Sequence, residues 1–470
     1  MDIHGVFEKE YRDARSSTEA RALLARTLLK EAAETSDDPA VRYTLYDEAR
    51  TLAVDGESPS LAIEAVDSMG LYFQVDTWQM HVETIEQLAK EVDTPQARDE
   101  LVQLIDRLID SAIDADRYDV VPSLAKAGTM TATKLRDLAL RDYLEDKQQR
   151  AKEVEEAYLQ AKAALEQLRE TPDDPSANTI AGAFYCFAKR EWARGLPMLV
   201  KGDNAMMKTV AQADLAKPTS PRSQLQLADD WWALADTLDE PLKSGARRRA
   251  GWWYIVAGPQ LRGEELERAR QRAVESGRIV DLLDLAMKRK ALTLGSWQRA
   301  GGLVSSVEPA PRVQFNVFAP ERYRLDLTIE PLAAAGKEED REKLPGREGF
   351  IVGLPWRNYW FTAVLDWGLG RQGNAAFLAL YDGKGPDSSN PTFRPNKLLR
   401  SKRPNYVSYE VTDEGVTVSV NRIPIIQYTD SYDHLKMPPE WAVPGKRRIF
   451  IGTRFCSYRI TKADLIDLED

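Results

Sequence analysis

The first 290 residues place apolar side chains every three or four positions, the spacing of amphipathic α-helices. In one such run, between residues 18 and 35, Leu24, Leu28 and Ala32 fall on a single helical face. Proline-containing breaks at 36–39 and 56–59 provide a stop and a new start, which predicts helices of roughly 15 residues joined by short loops. Further helices are predicted at 95–114, 118–134, 136–170, 175–191, 203–214, 221–238, 242–261 and 263–290. We expect no strand among them.

Paired helices of this length cannot bury both faces alone, so a stacked solenoid of tetratricopeptide-like type is predicted for residues 1–290. The charged stretch at 136–170 could divide this domain into two subdomains. Aromatic residues are concentrated near its end, and we interpret them as packing residues because buried aromatic rings commonly fill helix interfaces. These residues are Trp231, Trp232, Trp252 and Trp253.

After residue 290 the period changes to two. Alternating apolar and polar positions at Arg312–Phe318, 323–329, 416–420 and 423–428 are typical of half-buried antiparallel strands. Turn residues at 413–415 and 421–422 predict a three-stranded meander over 404–428. Without helical crossovers, residues 291–470 are predicted to form an antiparallel β-sandwich or jelly roll. The predicted fold is therefore a helical domain, 1–290, followed by a β-sandwich domain, 291–470.

Charge and cysteine content narrow the function classes. The chain carries a net charge of -10, with the acidic excess in the helical part, which disfavours nucleic acid as a partner. Cys186 and Cys456 are isolated, so neither a disulfide framework nor a thiolate metal site is expected. No apolar run is long enough for a membrane span, and the N-terminus lacks the pattern of a signal peptide. We expect a soluble protein without membrane insertion.

Several motifs of the second part carry a resemblance to a known fold family. The segments Asp366–Gly368, Asp382–Gly383, Asn390–Thr392, the 406–428 meander, 451–453 and 458–460 resemble a concanavalin-A-like lectin/glucanase sandwich, in particular laminin-G-like and 3-keto-disaccharide-hydrolase-like domains of bacteria. The segments 38–43 and 189–199 resemble the tetratricopeptide-like modules that precede such sandwiches in exported bacterial proteins. This resemblance implies the fold, and it implies export to the periplasm or cell surface with a signal removed; without it, a cytoplasmic location is expected.

The sequence offers few residues for a metal site or for a nucleophilic mechanism. The three histidines, His4, His81 and His434, are scattered, so we expect no metal, no cofactor and no Ser/His/Asp triad, and we interpret His434 as a loop residue. Residues 368–373 match GxGxxG, but the next residues read as a strand where a dinucleotide site requires a helix. We interpret this motif as a glycine-rich hairpin loop.

A pair of strand carboxylates is the weak candidate for catalysis. Asp326, Thr328 and Glu330 share one face of a predicted strand, as do the catalytic acids of the family-16 laminarinases that this fold resembles. Retaining hydrolysis requires carboxyl groups about 5 to 5.5 Å apart. Here Asp replaces the first Glu of that pattern and Thr328 replaces the middle Asp, which favours solvent-facing carboxylates over a catalytic pair.

A predicted strand at 359–367 carries the clearest sugar-binding pattern. Alternation places Asn358, Trp360 and Asp366 on one face and the apolar Tyr359, Phe361, Ala363, Leu365 and Trp367 on the other. An aromatic plane beside amide and carboxylate groups is typical of saccharide sites. The alternative is that Trp360 packs under a loop or against the helical part.

Basic residues form a second candidate surface. Arg394, Lys397, Arg400, Lys402 and Arg403 cluster within ten residues, and 446–448 is a further basic run. Arginines bind sulfate or carboxylate groups in bidentate fashion, so Arg394, Arg400 and Arg403 are predicted to contact an anionic polysaccharide. Docking on the acidic helical domain and a solvated charged loop are the alternatives.

Three function classes follow. The first is a non-catalytic binding protein, in which a helical scaffold that binds a protein partner carries a lectin-like, carbohydrate-binding sandwich. The second is a glycoside hydrolase-like enzyme that uses Asp326 and Glu330. The third is an assembly protein in which both domains bind only proteins. Fold alone does not separate them.

Overall fold

The computed structural model describes residues 3–288, 291–307, 310–332, 349–369, 373–445 and 447–469, and of residue 4 only the backbone. The chain divides into two compact units, Met1–Lys189 and Arg190–Asp470. The predicted split near 136–170 falls within a single helix, Leu138–Glu170. The domain limits 1–290 and 291–470 stay a prediction.

Helices make up the first unit and the first part of the second. Most predicted helices are present, and many begin as sequence rules require, with a Ser, Thr or Asp side chain capping the first turn and proline at its start. The α-helices are α1 Ile3–Val6, α2 Glu8–Ala14, α3 Thr18–Glu34, α4 Pro39–Asp55, α5 Pro59–Tyr72, α6 Thr77–Glu91, α7 Pro95–Asp114, α8 Val121–Lys134, α9 Leu138–Glu170, α10 Pro175–Ala183, α11 Trp192–Lys201, α12 Ala205–Leu215, α13 Pro221–Ala235, α14 Leu242–Ala257, α15 Gly263–Glu275 and α16 Leu282–Met287.

Antiparallel strands make up the rest of the second unit. The strands are β1 Ile279–Asp281, β2 Ala291–Leu294, β3 Trp297–Arg299, β4 Leu303–Ser305, β5 Arg312–Phe318, β6 Tyr323–Pro331, β7 Gly349–Trp356, β8 Tyr359–Gly368, β9 Asn374–Leu378, β10 Arg394–Pro395, β11 Asn405–Thr412, β12 Gly415–Val420, β13 Ile423–Tyr428, β14 Arg448–Arg454 and β15 Tyr458–Asp467. Sheet 1 has the order β13-β12-β11-β6-β15-β4-β3, with β1 also paired to β15, and sheet 2 has the order β10-β9-β8-β7-β14-β5-β2.

The predicted fold class, a helical region followed by an antiparallel β-sandwich, is confirmed. Alternate residues of the two sheets, such as Leu325 and Leu327 on β6 and Phe361 and Ala363 on β8, meet in one buried core. The 404–428 meander is present as β11, β12 and β13. Among the described residues, no helix combines the length and the apolar character needed to cross a lipid bilayer.

One predicted helix, 263–290, is wrong between residues 276 and 281, after which α16 is helical again. The pattern at 263–290 indicated a continuous helix, but α15 ends at Glu275 and Gly277 adopts a positive φ of 74°. Ile279–Asp281 then pairs with Ile466–Asp464 of β15 as strand β1. Strand pairing with a segment nearly 190 residues away overrides local helical periodicity, and local sequence contains no signal for it.

A buried ion pair organises the helices of the second unit. Asp214 on α12 accepts hydrogen bonds from Nε and Nη2 of Arg249, at 2.8 and 2.6 Å, and from the indole nitrogens of Trp231 and Trp253, at 2.7 and 2.8 Å. The Arg249 guanidinium also lies 4.7 Å from the ring of Trp192. The predicted packing role is confirmed for Trp231 and Trp253, which are buried.

The last strand of the sandwich, β15, is held by arginines. They come from α14, from α15 and from the connection after α15. Arg270 donates to both carboxylate oxygens of Asp464, at 2.8 and 2.7 Å, and Arg248 and Arg278 pair with Asp467. The side chains of Asp464 and Asp467 are only 1% and 7% exposed. Since buried carboxylates are costly without partners, these helices and β15 form one folded structure.

We expect Asp214→Ala to destabilise the protein strongly. It removes the carboxylate that accepts hydrogen bonds from Nε and Nη2 of buried Arg249, and breaking a buried ion pair in this way costs about 3 to 5 kcal/mol. Urea unfolding followed by tryptophan fluorescence measures the loss. Asp239→Ala, which removes an exposed carboxylate in the same helical region, should change the free energy of unfolding by no more than about 0.5 kcal/mol. Equal effects of the two substitutions would contradict the role of Asp214 and Arg249 as a stabilising buried ion pair.

Candidate functional site

The outer face of sheet 2, where the sequence predicted a sugar site, is largely covered. Trp360 is half-buried and packs edge-on against Phe450, with ring centroids 6.1 Å apart. Both belong to a second apolar cluster that includes Trp441 and Val443 of the segment before β14. Asn358, by contrast, is exposed in the turn between β7 and β8. Trp360 therefore packs under a loop, which was the alternative to a role in sugar binding.

The predicted placement of Asp366 beside Trp360 is wrong. The register of β8 shifts between Val364 and Trp367, and Asp366 has a positive φ of 51°. This irregularity moves Trp367 to the outer face, where it packs on Trp441, and turns the buried Asp366 away from Trp360. Strand alternation assigned Asp366 and Trp367 to the wrong faces because it assumes an unbroken strand.

The carboxylates of β6 are separately engaged. Asp326 is buried, lies 3.2 Å from Nε of Arg324 and accepts a hydrogen bond from the Ser408 hydroxyl at 2.9 Å. Glu330 accepts a hydrogen bond from Arg459 at 2.8 Å. Four residues of strand separate their backbones by about 13 Å. This spacing suits neither the roughly 5 Å separation of retaining glycosidases nor the 6.5 to 9.5 Å of inverting ones without large side-chain convergence.

Residues 396–404, the basic loop, connect β10 of sheet 2 to β11 of sheet 1 and are anchored from within by Asp366. One carboxylate oxygen of Asp366 accepts the backbone N–H of Leu398 at 2.7 Å, and the other accepts that of Leu399 at 3.2 Å. Burial raises the pKa of Asp366, while the two backbone N–H groups act in the opposite direction. Asp366 is therefore a structural support of the basic loop.

Asn405, fully buried, fixes the other half of the basic loop. Its Nδ2 donates to the carbonyls of Arg400 and Arg403, at 3.0 and 2.9 Å, and its Oδ1 accepts the N–H of Arg400 at 2.9 Å. The backbone N–H of Lys402 donates to the carbonyl of Pro331, at the end of β6. These contacts hold the loop backbone in place without the guanidinium groups of Arg400 and Arg403.

The basic side chains of this loop point to solvent. Arg400, Lys402 and Arg403 are exposed, and among the described residues no carboxylate lies within ion-pair distance of them. Arg394 differs from them. It lies on β10, and its guanidinium donates to the carbonyls of Pro391 and Phe393. The structure therefore places Arg400 and Arg403 on one exposed loop and leaves Arg394 engaged on the edge of sheet 2.

Aromatic rings collect at the opposite end of the sandwich. Trp356 and Tyr359 border the β7–β8 turn and are half-buried, and the ring of Tyr432 stacks on Trp356 with centroids 4.1 Å apart. Tyr381 stacks on His434 with centroids 5.1 Å apart. The four partly exposed rings and three adjacent carboxylates form what we term the rim cluster. Its members are Trp356, Tyr359, Tyr381, His434, Asp382, Asp430 and Asp433.

Hydrogen bonds fix the carboxylates of the rim cluster. Asp433 accepts the Tyr359 hydroxyl at 2.7 Å, Asp430 accepts the Tyr381 hydroxyl at 3.2 Å, and Asp382 lies 2.9 Å from Nδ1 of His434. The hydrogen bond to Asp382 raises the pKa of His434 above its ordinary 6.5. Burial opposes this shift, and the negative charges of Asp382, Asp430 and Asp433 add to it. His434 does lie in a loop region, in a 3₁₀ turn.

Sequence reasoning missed the rim cluster because its members come from three separate segments. The turn after β7, the loop after β9 and the loop after β13 supply them, and their proximity depends on the sheet topology. The available signal was the repetition of aromatic and Asp residues in Tyr381–Asp382 and 430–434. We used Asp382 only as part of the resemblance to concanavalin-A-like sandwiches and interpreted His434 only as a loop residue.

Two sequence motifs lie partly outside the described residues. Residues 370–372 of the glycine motif and Lys446 of the second basic run are not described. The strand predicted after the glycine motif is confirmed as β9. Within the described parts of the chain, no group of three or more His, Cys, Asp or Glu side chains is placed to hold a metal ion.

Comparison with solved structures returns β-sandwich modules. The chain is similar to the carbohydrate-binding module CBM66 from Bacillus subtilis (9% identity, 38% of this chain and 96% of that chain, TM-score 0.26), to domain 4 of the extracellular arabinanase AbnA from Geobacillus stearothermophilus (10%, 38% and 82%, 0.24) and to sheep galectin-11 (12%, 36% and 100%, 0.20). Similarity of this degree carries no argument about what this chain binds. No family model and no curated protein matches the chain.

We expect Asp382→Asn to lower the pKa of His434, because it removes the charge of the closest carboxylate. A raised histidine pKa means that the contact stabilises the folded loops below the unfolded pKa and is lost as pH rises through the folded pKa. NMR titration of histidine-labelled protein, with the His434 signal assigned from His434→Gln, measures the shift. Asp387→Asn, which alters an exposed carboxylate outside these contacts, should leave the titration unchanged. An unchanged His434 pKa in Asp382→Asn would refute the pairing.

Proposed function

We propose that this chain is a non-catalytic carbohydrate-binding protein whose sandwich binds anionic polysaccharide through the basic loop. One observation carries the proposal: Arg400 and Arg403 are exposed, have no carboxylate partner among the described residues and sit on a loop fixed by Asn405. A guanidinium matches the oxygens of a carboxylate or sulfate in bidentate geometry. A fixed loop also loses little conformational freedom on binding.

Other arginines of the sandwich show the contrast. Arg324, Arg357 and Arg459 each pair with a carboxylate, respectively of Asp326, Glu321 and Glu330. The arginines of the basic loop lack such partners, so a ligand anion would not have to displace an internal one. Lys397 and Lys402 add positive charge to the same loop. This arrangement supports an anionic ligand over a neutral one at this end of the sandwich.

The other function classes find less support. Asp326 and Glu330 are too far apart along β6 and too fully engaged to favour glycoside hydrolysis. For the helical region, we propose a protein-binding role in line with its predicted solenoid, and the exposed side chains of Leu71 and Tyr72, at 79% and 51%, support it. Following the resemblance to exported bacterial proteins, we also propose that the chain acts outside the cytoplasm.

The test is affinity electrophoresis of the full chain in gels that contain alginate, heparin or chondroitin sulfate. We expect at least one of these polysaccharides to retard the protein. The double substitution Arg400→Gln/Arg403→Gln should weaken that binding at least tenfold, since both bidentate contacts are lost. Retardation should also decrease with added salt, because exposed charges are screened.

A matched control separates local recognition from general charge. Lys162→Gln/Arg169→Gln removes the same charge from exposed positions on α9 and should leave the binding unchanged. If both double variants lose binding equally, the effect is one of net charge and the site assignment is wrong. If none of the three polysaccharides retards the wild-type chain, the proposed function fails.

A further inference from the structure

We infer that the rim cluster is a second saccharide site, which takes an uncharged sugar ring through its hydroxyl groups. The inference rests on the proposed function in that it assigns the sandwich a second carbohydrate ligand. It concerns a different surface, different residues and a ligand of different charge.

The two surfaces lie at opposite ends of the sandwich. At the start of β6, the Tyr323 hydroxyl donates to the carbonyl of Pro355, next to the β7–β8 turn of the rim cluster. At the end of β6, the Pro331 carbonyl accepts the backbone N–H of Lys402 in the basic loop. The nine residues of β6 span about 26 Å. Each surface can therefore be altered without touching the other.

The aromatic part of the rim cluster offers apolar planes at the protein surface. Trp356, Tyr359 and Tyr432 lie with ring centroids within 6.1 Å of one another. Tyr432 is buried beneath the other two, which remain partly exposed. Aromatic faces of this kind pack against the C–H groups of a sugar ring, and the buried ring below keeps them from moving.

The carboxylates supply acceptors beside these planes. Asp433 receives one hydrogen bond on each oxygen, from Tyr359 and from Ser431, and a carboxylate has about four acceptor positions. Hydrogen bonding, first from Tyr359 and then from Ser431, lowers the pKa of Asp433, so it is ionised at neutral pH. The free acceptor positions of Asp433 and its neighbour Asp382 can bind sugar hydroxyls, which are good donors to carboxylates.

The charges around the rim cluster select for a neutral ligand. Its carboxylates repel an anionic sugar. Arg357 lies 4.7 Å from the ring of Trp356 and Lys384 lies 5.9 Å from that of Tyr381, so these cations cover part of the two rings and repel a cationic ligand. The ring that a sugar can face is therefore that of Tyr359. A hydroxyl-rich, uncharged ring fits the remaining surface better than an anionic saccharide or a basic peptide.

The experiment is affinity electrophoresis of the full chain in gels that contain laminarin, mannan, galactan, arabinan or dextran. We expect at least one of these neutral polysaccharides to retard the protein, with little dependence on salt. Tyr359→Ala should weaken this binding at least tenfold, because the ring plane is lost. Tyr359→Phe keeps the plane and should retain most of the binding. Circular dichroism and thermal unfolding verify that both variants are folded.

Variants of the basic loop and of the rim cluster distinguish this inference from the proposed function. Arg400→Gln/Arg403→Gln should keep neutral binding, and Tyr359→Ala should keep acidic binding. If a neutral polysaccharide retards the chain and none of the acidic ones does, the basic loop fails as a binding site and the rim cluster stands. No retardation by any of the five neutral polysaccharides overturns the inference, as does neutral binding that survives Tyr359→Ala. Retardation by a polylysine gel that Tyr359→Ala abolishes, without neutral binding, would show a cation site in its place.

Discussion

The sandwich depends on the pairing of its last strand with arginines that come from helices. Asp464 and Asp467 on β15 are buried carboxylates, and Arg270, Arg248 and Arg278 neutralise them from the preceding helical segment. β15 in turn pairs with β6 at the centre of sheet 1. Removing the helical segment would take these three arginines away from the two carboxylates, and Lys462, 3.2 Å from Asp464, would offset only part of a cost on the order of several kcal/mol. The structural unit that carries the two proposed binding surfaces therefore includes the helices from residue 190 onward.

The same constraint explains which parts of the fold could be predicted from sequence. Period-two and period-3.6 patterns report whether a segment has one buried face, and they gave α7, α9 and the β11–β13 meander nearly to the residue. They carry no information about partners distant in sequence. Strand β1 was therefore read as helix, and the role of Asp464 was not seen. Asp366 was misplaced for a related reason, because a local irregularity in β8 reverses the alternation that follows it.

The candidate binding residues also divide into those that local sequence could predict and those that depend on distant partners. The basic loop is local in sequence, so its cations could be recognised. The side chains that support the loop could not be recognised, because Asp366 lies on β8 and Asn421, which donates to Oδ1 of Asn405 at 3.2 Å, lies in the turn after β12. The rim cluster depends entirely on tertiary proximity. Its histidine and carboxylates, taken singly, look like ordinary loop residues. Two surfaces of opposite charge character at the two ends of one sandwich are a property of the folded chain and of no single segment.

The three side chains that support the basic loop, which we term its frame, affect how the ligand preference of such a protein can evolve. Asp366 and Asn405 bind the loop backbone through hydrogen bonds, and Asn421 donates to Oδ1 of Asn405 at 3.2 Å. The guanidinium groups of Arg400 and Arg403 take no part in these contacts. Replacing these two side chains changes what the loop presents and leaves what holds it unchanged. Proteins that inherit such a frame can exchange ligand preferences through single substitutions that are nearly neutral for stability. Selection on the frame and selection on the surface are thus uncoupled, so we expect related chains to keep the three frame residues while the exposed positions diverge.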